Sequence, residues 1–262
     1  MKNLKERIQK GETLNGCWLN LGSSVTAEIV GLAGFDWVLL DLEHGAGGEK
    51  DLLHQLQALA HTTAAPIVRV ESADRQRIHR VLDLGAAGVM VPRISNLIEA
   101  KEAADGLRYP PEGIRGVAKM VRATGFGQHF NEYVKHQKDH VLGVVQIETK
   151  EILDQLDEVA ALEGVDVLFI GPADLSMALG IFGQFEHPLF KQALNATIAA
   201  ADKAGKATGI LLFNAEDYPV YRDMGIRMIA CGADATFVAD GARTMVNRLK
   251  GFMPHTDHSQ TH

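Results

Sequence analysis

The stretch FDWVLLDLEH at residues 35–44 indicates the fold more clearly than any other part of the sequence. Its centre, Trp37–Asp41, is an apolar run that ends on a carboxylate, and Gly34 precedes the stretch. Short runs that are apolar on both faces are typical of strands in a parallel sheet covered by helices. Residues 49–60, which follow, have the amphipathic composition of a helix. The stretch therefore predicts one strand–helix unit.

The same unit recurs along the chain. Seven further apolar runs lie at residues 14–19, 66–70, 88–92, 142–148, 167–171, 208–212 and 226–231. Helical stretches alternate with them, at residues 75–84, 98–106, 151–162, 190–204 and 233–250. About eight such units in roughly 250 residues are typical of an α/β fold of the closed (β/α)8 barrel type. An open, doubly wound sheet is the alternative fold.

Composition limits the classes of function. The 262 residues predict a single barrel domain at residues 1–253, followed by a polar and disordered tail at 254–262. The net charge of -7 argues against nucleic-acid binding, which needs an excess of Lys and Arg. We find neither a signal peptide nor a run of about 18 apolar residues that could span a membrane. Two cysteines without a disulfide pattern favour a cytoplasmic location.

The longest interruption between strands is residues 109–139. Its first part, YPPEGIRG at 109–116, is too rich in Pro and Gly for regular structure. A loop of this length in a compact domain usually has a function or lies at a subunit interface.

Polar side chains follow several of the predicted strands. They are Asp41, Glu43 and His44 after the second strand, Arg69 in the third, Gln146 and Glu148 in the fifth, and Asp174 after the sixth. Active sites of (β/α)8 barrels lie at the carboxyl ends of the strands. Any one of these residues is most simply a solvent-facing residue at a strand end, but their coincidence at one end predicts an active site.

Glu148 and Asp174 follow adjacent strands and can converge on one ion. Two carboxylates suit a divalent metal such as Mg2+ or Mn2+, with Co2+ as a third candidate, because these ions accept oxygen ligands. The alternative is that the carboxylates cap helices, and Asp174 is placed to do so. Spacing alone does not decide between these two interpretations.

His44 is the candidate general base, because it follows a strand directly and precedes Gly45. A carboxylate from Asp41, Glu43 or Asp83 would increase its basicity. Arg69 is the candidate clamp for a carboxylate or a developing enolate. None of the predicted strands contains a lysine, so a Schiff-base aldolase has no support, and nucleotide-binding and serine-hydrolase motifs do not occur.

Five segments in order resemble the HpcH/HpaI aldolase family of metal-dependent, class II pyruvate aldolases. They are FDWVLLDLEH at 35–44, PIVRV at 66–70, YPPEGIRG at 109–116, QIE at 146–148, and GVD at 164–166 with GPADL at 171–175. The resemblance covers nearly the whole chain except the tail. It implies a (β/α)8 barrel of the phosphoenolpyruvate/pyruvate-domain type.

Site roles carry over from this resemblance position by position. Glu148 and Asp174 match the divalent-metal ligands, and Gln146 and Ala173 match positions that contact substrate. Arg69 matches the arginine that binds the pyruvyl group and stabilises the enolate.

The resemblance also implies the acid–base machinery and the assembly. His44 matches the general base, and Asp83 matches the acid that increases its basicity. Members of the family are typically hexamers, arranged as trimers of dimers, whose active-site mouths a neighbouring subunit completes. Part of the 109–139 loop is therefore expected to serve the next protomer's site. GAGG at 45–48 and the segment 117–125 depart from the usual pattern, which leaves the aldehyde half of the substrate open.

The expected reaction is cleavage of a 4-hydroxy-2-oxo acid, of sugar-acid or dicarboxylic type, into pyruvate and an aldehyde. The partners are thus small molecules and further copies of the chain. One alternative is a lyase that acts on coenzyme A thioesters, for which a basic cluster in the loop, Arg108, Arg115, Lys119 and Arg122, is the nearest feature. A second alternative is a non-catalytic barrel that binds 2-oxo acids.

Overall fold

Eight parallel strands form a closed barrel in the computed structural model, which describes residues 3–252. The strands follow each other around the barrel in chain order, so the closed (β/α)8 prediction is confirmed and the open sheet is wrong. They are β1 Leu14–Leu19, β2 Trp37–Asp41, β3 Ala65–Arg69, β4 Gly88–Val91, β5 Leu142–Ile147, β6 Val167–Ile170, β7 Ala207–Leu212 and β8 Met228–Ala233. The tail predicted at residues 254–262 lies outside the described residues.

Eleven α-helices of the described residues accompany the strands. They are α1 Leu4–Gln9, α2 Ser24–Leu32, α3 Glu49–Leu59, α4 Arg75–Asp83, α5 Leu97–Gly106, α6 Phe130–His140, α7 Leu156–Ala160, α8 Pro172–Ala178, α9 Pro188–Lys203, α10 Tyr218–Asp223 and α11 Asp234–Lys250. None of them combines the length and the apolar character needed to cross a lipid bilayer.

Two predicted elements differ in kind from the structure. The helix predicted at residues 151–162 is a 3-10 segment, Glu151–Gln155, followed by the short α7. The long interruption at 109–139 is partly helical, because it contains α6 and a 3-10 turn at Arg122–Thr124. Helix α6 contains neither Pro nor Gly, and the buried Gln137 side chain fixes it by donating a hydrogen bond to the Leu107 carbonyl at 2.7 Å. Pro and Gly therefore prevent helix only in the first part of the segment.

Large aromatic side chains fill the middle of the barrel. Trp18, Trp37 and Phe169 contact one another with ring centroids 5.6–6.2 Å apart, in tilted and edge-to-face arrangements. The neighbouring strands make room with glycine, because a Cβ at Gly16 would overlap the Trp37 indole and one at Gly209 would overlap the Phe169 ring. This interior is a packed core rather than a channel.

Alternation along each strand decides which side chains reach the barrel mouth. Successive side chains of a strand point to opposite faces, so the interior position of Trp37 also directs Leu39 and Asp41 inward. Strand β3 pairs with β2 so that Asp41 lies opposite Arg69. The apolar layer of the barrel thus ends in a layer of charged side chains at the carboxyl ends of the strands.

Candidate active site

The centre of the barrel mouth is an ion pair between Asp41 and Arg69. The Arg69 Nε donates to Asp41 Oδ1 at 2.9 Å and Nη2 donates to Oδ2 at 2.7 Å, which is the bidentate geometry of strong arginine–carboxylate pairs. Both residues are buried, and the Arg69 guanidinium lies over the Trp18 ring at 5.9 Å from its centroid. Burial lowers the pKa of Arg69, but the stronger combined effect of Asp41, Glu43 and Glu148 raises it, so Arg69 is a permanent cation.

Gln146 connects Arg69 to Glu148. The Gln146 Oε1 accepts from Arg69 Nη1 at 3.4 Å, and its Nε2 donates to Glu148 Oε2 at 3.0 Å. The other oxygen of Glu148 accepts from the backbone N–H of Arg93 at 2.6 Å. Arg93 has a φ of 53°, a left-handed conformation that costs free energy in a residue other than glycine, and such strain is concentrated at functional sites.

Glu148 is a carboxyl group whose charge is poorly compensated. Burial raises its pKa to about 7, the charges of Asp174 and Glu43 act in the same direction, and the Arg93 amide and Arg69 oppose them. Gly171 is required beside it, because a side chain at that position would overlap the Glu148 carboxylate.

Asp174 lies in the first turn of α8 and lines the same cavity as Glu148. The residue before this helix is Gly171, and no side chain caps its amino end, so Asp174 does not serve as the N-cap. Ala173 also lines the cavity. The helix-cap alternative is therefore wrong for Asp174, and its carboxylate remains available to a ligand.

His44 lies at the rim of the mouth, with a side chain that is 68% exposed. Its nearest carboxylate among the described residues is Glu43, with His44 Nε2 at 3.7 Å from Glu43 Oε1. The other oxygen of Glu43 lies 3.1 Å from Arg69 Nη1 but without the alignment of a hydrogen bond. The predicted residues His44, Arg69, Gln146, Ala173, Glu148 and Asp174 thus surround one cavity of about 400 Å³.

Asp83 is far from this cavity within the chain. It is the last residue of α4, which runs back from the carboxyl end of β3, so Asp83 lies toward the amino ends of the strands. Its carboxylate accepts from Arg115 Nη2 at 2.9 Å, and it is absent from the residues that line the cavity. Within one chain Asp83 therefore lies away from His44, because a βα connection reverses direction between the strand end and the helix end, and its role toward His44 stays a prediction.

The basic cluster of the long loop is occupied by contacts within the chain. Arg115 is fully buried between Asp83, Tyr109 and Tyr133, and Arg108 pairs with Asp105 and Glu163. Arg122 donates to the carbonyls of Leu84 and Leu56. Only Lys119 of the four is exposed, so these residues do not form an open surface for a phosphorylated coenzyme.

Sequence reasoning missed three features of the mouth. Asn20 and Asp234 are hydrogen-bonded into it, and Leu211, Leu212 and Phe213 form an apolar wall of the cavity. Each follows or ends a strand, so the strand-end rule that identified Arg69 would also have found them in β1, β7 and β8. Among residues 3–252 no group of three or more His, Cys, Asp or Glu side chains is arranged to hold a metal ion.

The profile of the HpcH/HpaI aldolase/citrate lyase family matches residues 14–241. A hydroxypyruvate/pyruvate aldolase of Agrobacterium fabrum is 39% identical over 248 residues, which are 94% of this chain and 93% of the relative. A 4-hydroxy-2-oxo-heptane-1,7-dioate aldolase of Salmonella arizonae is 38% identical over 250 residues, covering 95% of each chain. The crystal structure of a Burkholderia cenocepacia protein of the HpcH/HpaI aldolase/citrate lyase family superposes with a TM-score of 0.89 and 36% identity, covering 95% of this chain and 100% of the other.

Proposed function

The chain belongs to the HpcH/HpaI aldolase/citrate lyase family, and we propose that it is a class II pyruvate aldolase acting on 4-hydroxy-2-oxo acids. It is a carbon–carbon lyase that releases pyruvate, or a close analogue, and an aldehyde. The observation that carries this proposal is the buried Arg69, which is held by Asp41 and faces the cavity that Glu148 and Asp174 also line. An anion clamp beside two carboxylates is suited to a 2-oxo acid and a metal ion.

Glu148 and Asp174 are the proposed holders of a divalent metal ion, either Mg2+ or Mn2+, with Co2+ as the third candidate. The fit rests on charge, because Asp41, Glu43 and Glu148 share the single guanidinium of Arg69, and burial together with the charge of Asp174 raises the pKa of Glu148 to about 7. A cation of charge two would offset this excess of negative charge. The chemistry that such an ion supplies is Lewis-acid polarisation of a carbonyl oxygen.

The protein's own side chains bind the substrate, stabilise the developing charge and transfer the proton. Arg69 binds the substrate carboxylate and stabilises the negative charge that develops on the C2 oxygen as the C3–C4 bond breaks. His44 accepts the proton of the C4 hydroxyl, so that C4 leaves as an aldehyde and the bonding electrons remain on the enolate of pyruvate. Gln146 and the backbone at Ala173 contact the 2-oxo acid.

A homo-oligomer is part of the proposal, with a hexamer arranged as a trimer of dimers as the expected form. Support comes from apolar side chains that α2 and α11 expose, among them Ile29 at 63% and Leu32 at 68% on α2, and Phe237 at 49% and Leu249 at 56% on α11. Exposed apolar patches of this kind mark subunit interfaces. Since Asp83 cannot reach His44 within one chain, the role that the family resemblance gives it requires Asp83 of another copy.

A cytoplasmic location is proposed as well. Both cysteines are free, with Cys17 buried and Cys231 half-buried, as is usual in a reducing compartment.

Pyruvate release from a panel of 4-hydroxy-2-oxo acids, including 2-dehydro-3-deoxy-glucarate, tests the function, with each divalent metal supplied in turn. We expect turnover of at least one substrate and exchange of the methyl protons of pyruvate in the metal-loaded enzyme. Binding of pyruvate without exchange would instead support a non-catalytic barrel. Cleavage of coenzyme A thioesters with no activity on the free acids would support the thioester lyase.

A further inference from the structure

A chain of hydrogen bonds runs around the barrel mouth from the start of α11 to Arg69. The Asp234 Oδ1 accepts from the backbone N–H of Asn20 at 2.8 Å. The Asn20 Nδ2 donates to Asp41 Oδ2 at 2.8 Å, and Asp41 forms the bidentate pair with Arg69. Each link joins the ends of neighbouring strands, in the order β8, β1, β2 and β3.

The Asp41 carboxylate is held on both of its oxygens. Oδ1 accepts from Arg69 Nε and from the backbone N–H groups of Glu43 and His44, at 2.9, 3.1 and 3.3 Å. Oδ2 accepts from Arg69 Nη2 and from Asn20. Asn20 is thus the only side chain other than Arg69 that hydrogen-bonds this carboxylate in the described part of the chain. Its hydrogen bond restricts rotation of the Asp41 carboxylate, and so fixes the plane in which the carboxylate pairs with the guanidinium.

Asn20 is itself fixed by its backbone. Its N–H is held by Asp234, which is 2% exposed, and its carbonyl accepts from the Ala46 N–H at 2.8 Å, in the loop that carries His44. Asn20 also lines the cavity. Its position is therefore determined from two sides before any ligand enters, as preorganised binding requires.

We propose that Asn20 is a positioning residue for 2-oxo acid binding, which acts through Asp41 to set the orientation of Arg69. The inference rests on the proposed function, because it concerns the anion that Arg69 binds. A positioning role differs from mere stabilisation of the loop in what a substitution changes. Replacing Asn20 with alanine should weaken pyruvate binding and leave the affinity of Glu148 and Asp174 for metal unchanged.

Three variants test this role. Asn20→Ala removes the donor to Asp41, and Asn20→Asp places a second carboxylate against it. Thr26→Val is the matched control, because the Thr26 Oγ1 donates to Asp234 Oδ2 at 2.7 Å. Thr26 therefore belongs to the same series of hydrogen bonds but does not contact Asp41 or Arg69. Calorimetry measures the Kd of Mn2+ alone and the Kd of pyruvate at saturating Mn2+, and thermal unfolding measures the Tm.

For Asn20→Ala we expect the Kd of pyruvate to rise about tenfold, the size of effect typical for losing one hydrogen bond to a charged group. Asn20→Asp should weaken pyruvate binding further, since the introduced carboxylate and that of Asp41 repel each other. In Asn20→Ala the Kd of Mn2+ should change less than twofold, and Thr26→Val should leave both constants at the wild-type values.

Several outcomes would overturn the inference. An unchanged pyruvate Kd in Asn20→Ala would show that Arg69 needs no help from Asn20. Equal losses of Mn2+ and pyruvate affinity, or a pyruvate loss in Thr26→Val as large as in Asn20→Ala, would indicate general loosening of the mouth. Wild-type protein that neither binds pyruvate with Mn2+ nor releases it from any 4-hydroxy-2-oxo acid would instead refute the proposed function.

Discussion

The middle and the mouth of the barrel are built by the same strands but on opposite physical principles. In the middle, Trp18, Trp37 and Phe169 pack against one another and against glycines, and the Trp37 Nε1 donates a hydrogen bond to the Leu14 carbonyl at 3.2 Å. At the mouth, the same inward-facing rows end in Asp41 and Arg69.

The difference between these two layers is a difference between stability and function. Burial of aromatic surface in the middle favours folding. Burial of several carboxylates around one guanidinium at the mouth opposes it, as the raised pKa values of Glu43 and Glu148 indicate. Variants in the middle should therefore change unfolding, whereas variants at the mouth should change turnover.

Removal of divalent ions is expected to have the largest effect. After treatment with EDTA, turnover of a 4-hydroxy-2-oxo acid should fall to background, because among residues 3–252 no lysine lines the cavity to replace the metal as an electron sink. Addition of Mg2+ or Mn2+ should restore the rate, while circular dichroism remains unchanged throughout. Full activity in the metal-free enzyme would refute the metal site.

Trp37→Ala tests the middle of the barrel. The free energy of unfolding should fall by about 3–5 kcal/mol, because the fully buried indole leaves a cavity that glycine-lined neighbours cannot fill. Urea titration measures the change, and kcat of the folded fraction should stay within a few-fold of wild type. Phe182→Ala is the control, since this ring is 61% exposed and its loss should cost less than about 0.5 kcal/mol. An unchanged free energy of unfolding in Trp37→Ala would contradict the conclusion that the aromatic layer in the middle of the barrel stabilises the fold.

Arg69→Lys tests the mouth. We expect kcat/KM to fall roughly 10²–10³-fold, or about 3–4 kcal/mol of transition-state binding, because an ammonium group cannot form the bidentate contacts of a guanidinium. The Tm should change by only a few degrees. Arg77→Lys, at an exposed position in the following helix, should leave the rate unchanged. An unaltered rate in Arg69→Lys would exclude Arg69 as the group that stabilises the enolate.

The pH dependence of the stability of the metal-free protein tests how much the burial of the Glu148 carboxylate lowers the free energy of unfolding. Its pKa is about 7 in the folded state against an ordinary value of 4.5, so the folded state binds more protons than the unfolded state between these pH values. The free energy of unfolding should consequently decrease by roughly 3 kcal/mol as pH rises from 4.5 to 7.

Glu148→Gln should lose this component of the pH dependence. The free energy of unfolding of the variant relative to wild type should therefore increase across the same pH interval. Urea titrations at several pH values measure the difference. Glu163→Gln, whose side chain is 87% exposed, should follow the wild-type curve. Parallel curves for wild type and Glu148→Gln would mean that burial does not perturb this carboxyl group.

Most of the barrel could be predicted from the sequence because its strands are short apolar runs between turn signals. Seven of the eight strands end within one residue of their predicted ends, and β1 and β2 have the predicted bounds. Strand β8 was predicted two residues early, since Ile226 is buried and apolar like a strand residue but precedes the ladder that β8 forms with β1 and β7. Helix α6 was missed because the Pro and Gly residues before it dominate the local composition.

The mouth was predicted in part by the same logic. Arg69, Gln146 and Glu148 end apolar strands, and the sequence period of two directs them inward. Asn20 and Asp234 follow β1 and β8 in the same way, but they were not singled out because a lone Asn or Asp after a strand is usually a turn residue.

The sequence by itself determined the order of strands and helices and the end of the barrel at which charged residues gather, because both follow from local periodicity and chain direction. Only the tertiary structure decided which charges meet. Strand register pairs Asp41 with Arg69, and closure of the barrel brings Asp234 to Asn20 across 214 residues. The reversal of chain direction in α4 directs Asp83 to Arg115 instead of His44. Contacts between side chains depend on distances of about 3 Å that no local pattern encodes.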